Sequence, residues 1–229
     1  MRMRFLPFLL ALGLSACAAP PEESVKPGIN DSFLNPELDV DSYVARFEVE
    51  SREIYVERKG LTAAVGLEAG MAVADIGAGT GLFEPLFAEA VGETGLVYAV
   101  DISPGMIDHL NERKQNEGWE NVEIVQCSED ETGLTSRSVD RVFICDTYHH
   151  FEYPRATMRS IRSALRKGGE LIIVDFERIP GVTRQWLLEH VRAGKEEVIG
   201  ELQDFGFELI EEIKLPGLRE NYILRLRRR

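Results

Sequence analysis

One short run limits what this chain can become more than any other. Residues 71–76 read Met-Ala-Val-Ala-Asp-Ile and lead straight into Gly77-Ala78-Gly79-Thr80-Gly81. A strand that ends in closely spaced glycines brings its backbone against a ligand and then opens a helix. It does so at the carboxyl edge, where open α/β sheets bind their ligands. A dinucleotide fingerprint has the spacing G-x-G-x-x-G, which would need a small residue at position 82. That position is Leu82. Asp75 stands two residues before Gly77 and is a poor neighbour for a pyrophosphate, and no P-loop lysine follows. The turn therefore favours a cationic or neutral nucleoside over a phosphorylated one.

The next apolar run, Val97-Tyr98-Ala99-Val100-Asp101, ends in a second carboxylate. A carboxylate at a strand end beside such a turn can accept hydrogen bonds from both ribose hydroxyls. S-adenosylmethionine suits both features, because it carries a sulfonium and an amino group and no phosphate.

The rest of the chain alternates strands and helices. Strands are predicted at 71–76, 96–100, 122–126, 139–145 and 170–176. Helices are predicted at 82–91, with Pro85 in the first turn, and at 104–116, capped by Ser103. A further helix over 154–166 is expected to stop at Lys167-Gly168-Gly169. One or two helices fall in 183–205, and two strands joined near Pro216-Gly217 close the chain as an antiparallel pair. Residues 40–66 read as helical, with Ser51 as a cap. Such alternation implies a mostly parallel sheet covered on both faces.

The segments VADIGAGTGLF, VYAVDISPGMI, SVDRVFICDTYHHF and LRKGGELIIVDF resemble successive motifs of class I methyltransferases. They are most similar to the small-molecule group that includes ubiquinone/menaquinone C-methylases. The likeness covers about residues 40–229. It implies a Rossmann-like, doubly wound α/β fold with a seven-stranded, mostly parallel sheet of order 3-2-1-4-5-7-6. Strand 7 is antiparallel, and helices precede the sheet. It also implies S-adenosyl-L-methionine as cofactor. By the same resemblance Gly77, Gly79 and Gly81 form the cofactor turn, Asp75 lies near the methionine amino group, and Asp101 holds the ribose. Ile102 packs on the adenine, and Ser128 and Glu129 reach its edge. Many relatives have Asp where Ser128 stands.

The acceptor side is less determined. By the same resemblance Asp146 ends the fourth strand beside the methyl donor, and Thr147-Tyr148-His149-His150 follows it. Methyl transfer needs positioning first. Where the acceptor must lose a proton, His149 or His150 is suited to take it; alternatively the pair packs the loop. Asp146, His149 and His150 are the candidate catalytic residues. His190, Arg192 and Lys195 form either a polar cluster that selects an anionic acceptor or a solvated helix face, and Arg46 and Tyr55 are placed to close over the cofactor. No His/Cys spacing has the form of a metal site, so no metal is expected. The formal net charge of -13 argues against a general grip on nucleic acid, and a small-molecule acceptor is expected. The sequence sets no oligomeric state.

The front of the chain reads as an address. Arg2 and Arg4 precede the apolar run Phe5–Leu14, and Leu14-Ser15-Ala16-Cys17 resembles the lipobox of bacterial lipoproteins. That resemblance implies a signal peptide over 1–16 and acylation of Cys17. With Ala18 next, it implies anchoring at the periplasmic face of the outer membrane, or a cytoplasmic protein if no signal operates. Residues 17–36 are rich in Pro and read as a flexible tether, leaving 37–229 as the methyltransferase domain. Export sits awkwardly with a cytoplasmic cofactor. The alternative reading is therefore an exported module that keeps the fold and binds a nucleoside or another ligand without turnover.

Overall fold

The computed structural model describes residues 22–229, so the signal segment and Cys17 lie outside the described residues. Three short helices come first: α1 (Val40–Phe47), α2 (Glu53–Val56) and α3 (Arg58–Val65). The continuous helical reading of 40–66 breaks at 48–52. Ser51 is not the cap; Arg52 takes that position in α2 and makes no side-chain capping bond. The break has a packing cause. α1 lies against α5 (Pro104–Glu117) and α3 against α4 (Glu84–Val91), and one straight helix would not reach both.

The strands are β1 (Ala72–Ile76), β2 (Leu96–Asp101), β3 (Val122–Gln126), β4 (Val139–Cys145), β5 (Leu165–Phe176), β6 (Phe207–Ile213) and β7 (Asn221–Arg228). They form one sheet of order β3-β2-β1-β4-β5-β7-β6. β1 through β5 pair in parallel, and β7 runs antiparallel to both β5 and β6. The order and the single reversed strand match the expectation. The remaining helices are α6 (Pro154–Ala164), α7 (Gln185–His190) and α8 (Lys195–Asp204).

All five residues of β1 are buried, as a central parallel strand covered on both faces requires. Alternate residues serve opposite cores. Ala72, Ala74 and Ile76 join Val142, Ile144, Leu171 and Ile173 on one face. Val73 joins Val97, Phe87, Phe143, Ile172 and Val174 on the other. Phe83, Phe87 and Phe143 pack there with ring centroids 4.8–5.6 Å apart, which fixes α4 directly behind the glycine turn.

The expected glycine stop at 167–169 is a bulge instead. β5 starts at Leu165, pairs with Val139, and slips register before Arg141 meets Glu170. Gly168 takes φ +82°, and a Cβ on Gly169 would sit 3.1 Å from the Asp140 carbonyl. The two glycines let the strand bend without leaving the sheet.

Residues 22–36, which composition reads as a tether, lie along the domain. The Glu22 carboxylate accepts from the backbone N–H groups of Arg155 and Ala156 at 2.9 and 2.7 Å. It thereby caps α6, whose own Tyr153 provides no cap. Val25 N–H donates to the Glu152 carbonyl at 3.0 Å, and Phe33 packs edge-on against His150. Composition missed this because the anchors are single groups spread along the segment, Glu22, Val25, Lys26, Asn30 and Phe33, and not an apolar period. Among the described residues no helix is long and apolar enough to cross a membrane.

Candidate active site cleft

The strand order reverses between β1 and its neighbours β2 and β4, and the main cavity opens at that switch point, as expected for such sheets. Its volume is about 1060 Å³, above the usual ~300–1,000 Å³ of a single-ligand pocket. Asp75, Gly77, Ala78, Gly79, Asp101 and Ile102 line one side; Asp146, His149, His150, Trp186 and His190 line the other.

On the first side the glycine turn is shaped by two constraints. Gly77 has φ +80°, and a Cβ there would stand 2.4–2.5 Å from the Thr147 side chain. Gly79 has φ +57° and no close neighbour, so the space above it is left for a ligand. Asp101 is anchored at both oxygens, which accept from Gly79 N–H and Ser103 N–H at 2.8 Å each. It lines the cavity, and its remaining lone pairs can accept from a diol. Burial raises its pKa, and those two backbone bonds oppose the rise.

Behind the turn three acids are gathered, Asp75, Glu84 and Asp101. Burial, then Glu84, then Asp101 push the Asp75 carboxyl well above the carboxylate range. Glu84 is fully buried, neither of its oxygens has a partner, and burial pushes its pKa up to about 7. Burial and mutual repulsion keep these acids protonated, and a neighbouring cation, not a phosphate, favours their ionised form. The donor set therefore fits a nucleoside bearing a sulfonium and an ammonium. When bound, S-adenosylmethionine supplies an electrophilic methyl group there.

Asp146 follows β4 with φ +49°, a conformation Asp tolerates better than most residues. Arg52 pairs with one of its oxygens, and Asn221 Nδ2 donates to the other. Burial raises its pKa, and Arg52 opposes the shift. His149 is oriented twice by Asp175: Nδ1 lies 2.7 Å from one oxygen, and its backbone N–H donates to the other at 3.1 Å. His149 and Asp175 are 4% and 2% exposed, so this pair is desolvated and fixed. Burial, His149, His190 and Lys26 bring His150 down to about 2. Burial, His149 and Lys26 bring His190 down to about 4. Both rings are uncharged at neutral pH.

Not every expected residue reaches the cavity. Gly81 does not line it; a Cβ there would meet Leu110 at 2.9 Å, and its carbonyl accepts from Arg113. It serves packing of the turn on α5. Ser128 and Glu129 line a small adjoining cavity of about 50 Å³ that shares Gly77, Ile102, Thr147 and His150 with the large one. The Ser128 hydroxyl is tied to Asp130 at 2.8 Å. The anionic-acceptor cluster does not assemble. Arg192 binds Glu201 in bidentate fashion at 2.7 and 2.8 Å, and Lys195 binds Glu177 and Glu212. His190 alone of the three faces the cleft. Arg46 lines it as expected; Tyr55 does not, and lies under Arg58. Sequence reasoning missed Arg52, Glu84, Asp175 and Asn221; Arg52, Asp175 and Asn221 act through partners distant in sequence. For Glu84 a signal existed, since an acid stands on the apolar side of a core helix.

Fold and cradle together define a class I nucleoside-cofactor transferase with a Rossmann-like sheet. The chain belongs to the methyltransferase domain family, which matches residues 67–216, and its cofactor is S-adenosylmethionine. It is 26% identical over 181 residues to the ubiquinone/menaquinone biosynthesis C-methyltransferase UbiE of Klebsiella pneumoniae, covering 66% of this chain and 72% of that one. The Escherichia fergusonii UbiE is 30% identical over 114 residues, 49% of this chain and 45% of that one. A SAM-dependent methyltransferase from Aquifex aeolicus superposes with a TM-score of 0.72 at 25% identity, covering 81% of this chain and 96% of that chain. The [4+2]-cyclase SpnF shares the fold at 17% identity and a TM-score of 0.64, covering 84% and 75%.

Proposed function

We propose that the chain transfers a methyl group in line from S-adenosylmethionine to a small-molecule acceptor. The observation that carries this is a single cleft with two unlike walls: an acidic, glycine-lined cradle and, facing it, a wall of imidazoles with Asp146 and Trp186. The cleft exceeds the usual size for one ligand, which suits two reactants side by side. Their juxtaposition is itself the larger part of such catalysis. His149 is the group suited to take a proton from the acceptor. Asp175 holds its Nδ1–H, which leaves the Nε2 lone pair free. Asp146 and His150 contribute by shaping the acceptor wall. Gly77, Gly79, Asp75, Asp101 and Ile102 hold the cofactor, and Ser128 and Glu129 bound its adenine side.

Calorimetry with S-adenosylmethionine and S-adenosylhomocysteine tests the first half. Absence of binding to both refutes the reading. Binding followed by methylation somewhere in a panel of hydroxyl, amine and carbon acceptors supports it. Binding without turnover across that panel supports a ligand-binding module instead. We propose further that the protein is held at a membrane through an acylated Cys17, on the lipobox resemblance alone. Radioactive palmitate should label the wild type and not Cys17→Ser; an unlabelled, soluble wild type refutes the anchor.

A further inference from the structure

The acceptor end of the cleft gathers three imidazoles from separate stretches of chain. His149 and His150 belong to the turn after β4, and His190 ends α7. One ring nitrogen of each lies within 4.8 Å of the others. The His150 and His190 Nε2 atoms are 3.3 Å apart. Zinc–imidazole bonds of about 2.0–2.1 Å at tetrahedral angles separate adjacent nitrogens by roughly 3.3–3.4 Å. One edge of a coordination tetrahedron is therefore already at its proper length. The His149 ring is held by Asp175, so small movements of the His150 and His190 rings bring in the third vertex.

Three further features go with this geometry. Asp175 holds His149 Nδ1, which leaves Nε2 as the atom of that ring available to a metal. A carboxylate behind a ligating histidine sets its tautomer and raises its basicity, as at many metal centres. All three rings line the cavity, so a fourth position opens onto it, in the manner of a catalytic rather than a structural site. Finally, the nearby cation Lys26 is engaged elsewhere than on the imidazole nitrogens. Its ammonium is turned onto main-chain carbonyls, those of Glu189 and His190.

We propose that His149, His150 and His190 form a three-imidazole site for a borderline divalent transition ion of the Zn²⁺ type, its open position directed at the acceptor end of the cleft. Neutral imidazole ligands favour such ions over Mg²⁺ or Ca²⁺, which want oxygen. An acceptor bearing an anionic oxygen or sulfur would fill the fourth position. The site competes with a general base for the His149 Nε2 lone pair, so the two roles are separable by experiment. It stands independently of methyl transfer.

Full-chain protein freed of metal with a chelator is titrated with Zn²⁺ alone by calorimetry, then loaded with Co²⁺ for visible spectroscopy. The expected result is one Zn²⁺ per chain and the intense visible bands of four-coordinate Co²⁺. His190→Gln should abolish both, and His190→Cys should restore binding through a thiolate. Asp175→Asn should weaken Zn²⁺ by about 10–100-fold. Circular dichroism and S-adenosylhomocysteine binding on the same samples show that each variant is folded. They also separate failure of the metal site from failure of the cofactor reading. Absence of tight Zn²⁺ binding, a six-coordinate Co²⁺ spectrum, or Zn²⁺ binding unchanged in a folded His190→Gln overturns the proposal.

Discussion

Glu84 should make this protein lose stability as the pH rises, and replacing it by Gln should remove the loss. Its carboxyl is fully buried behind the glycine turn, beside Asp75, with both oxygens unpartnered. Burial carries its pKa from an ordinary 4.5 to about 7. A raised acid pKa means the folded chain holds this proton where the unfolded chain has released it. Stability therefore falls as pH climbs through the interval from 4.5 to about 7, and levels off above it. The interval times 1.36 kcal/mol per unit gives a cost of about 3 kcal/mol at pH 8. Glu84→Gln has nearly the same shape, stays neutral, and can donate from its amide to Asp75. Urea unfolding of both proteins across pH 5–8.5 reads the effect together with the part of the Asp75 shift that Glu84 causes; the remaining titrating groups are common to both. The difference should be about 1 kcal/mol at pH 5 and reach about 3 kcal/mol in favour of the variant by pH 8. That corresponds to roughly 6–12 °C in melting temperature for a domain of this size. A difference that does not change with pH would refute the reasoning, as would a variant less stable at pH 8.

Three further outcomes are expected. Asp101→Ala should weaken S-adenosylhomocysteine binding by about 10–100-fold in calorimetry, since hydrogen bonds to a charged group contribute about 1.5–3 kcal/mol. Gly77→Ala should cost about 1–2 kcal/mol for its φ of +80° in addition to the collision with Thr147. A second change, Thr147→Gly, should recover the collision but not the backbone part, read as a partial return of the urea midpoint. Arg52→Ala strips the partner from a buried Asp146. Because Arg52 is itself a quarter exposed, the loss should sit at the low end of the range for broken buried pairs, about 3 kcal/mol by denaturant unfolding.

The parts of the fold written in the sequence are those set by local period and by neighbours. Strand β1, its glycine turn and the Ser103 cap of α5 depend on residues close in the chain. Ser103 accepts from Met106 N–H as its position predicts. The helix break at 48–52 and the bulge at 167–169 depend on partners elsewhere: α5 and α4 for the first, Asp140 for the second. The same division runs through the site. Asp75, Gly77, Gly79 and Asp101 carry a local signature. Asp175 and His190 acquire their roles only when β5 and α7 bring them to the turn after β4. Charge patterning pointed to Arg192 and Lys195 as acceptor-binding groups, and the fold spends both on Glu201, Glu177 and Glu212 instead.

The two walls of the cleft are supported differently, and this bears on how each can vary. The cofactor wall rests on β1 and β2, inside the sheet, where a shift of one residue would exchange the two cores. The acceptor wall rests on a short turn, the end of a six-residue helix and the segment before the domain. Asn30 donates to the His150 carbonyl at 3.1 Å, and Phe33 packs on its ring. Those supports are few and local, so they can be replaced without disturbing the sheet. Relatives with the same cradle can then hold different acceptors, and a cyclase can share the fold. The residues that decide this chain's acceptor are thus in 22–36 and 177–190 as much as in the turn at His149. An exchange of either segment with a relative should alter acceptor choice while leaving cofactor affinity unchanged.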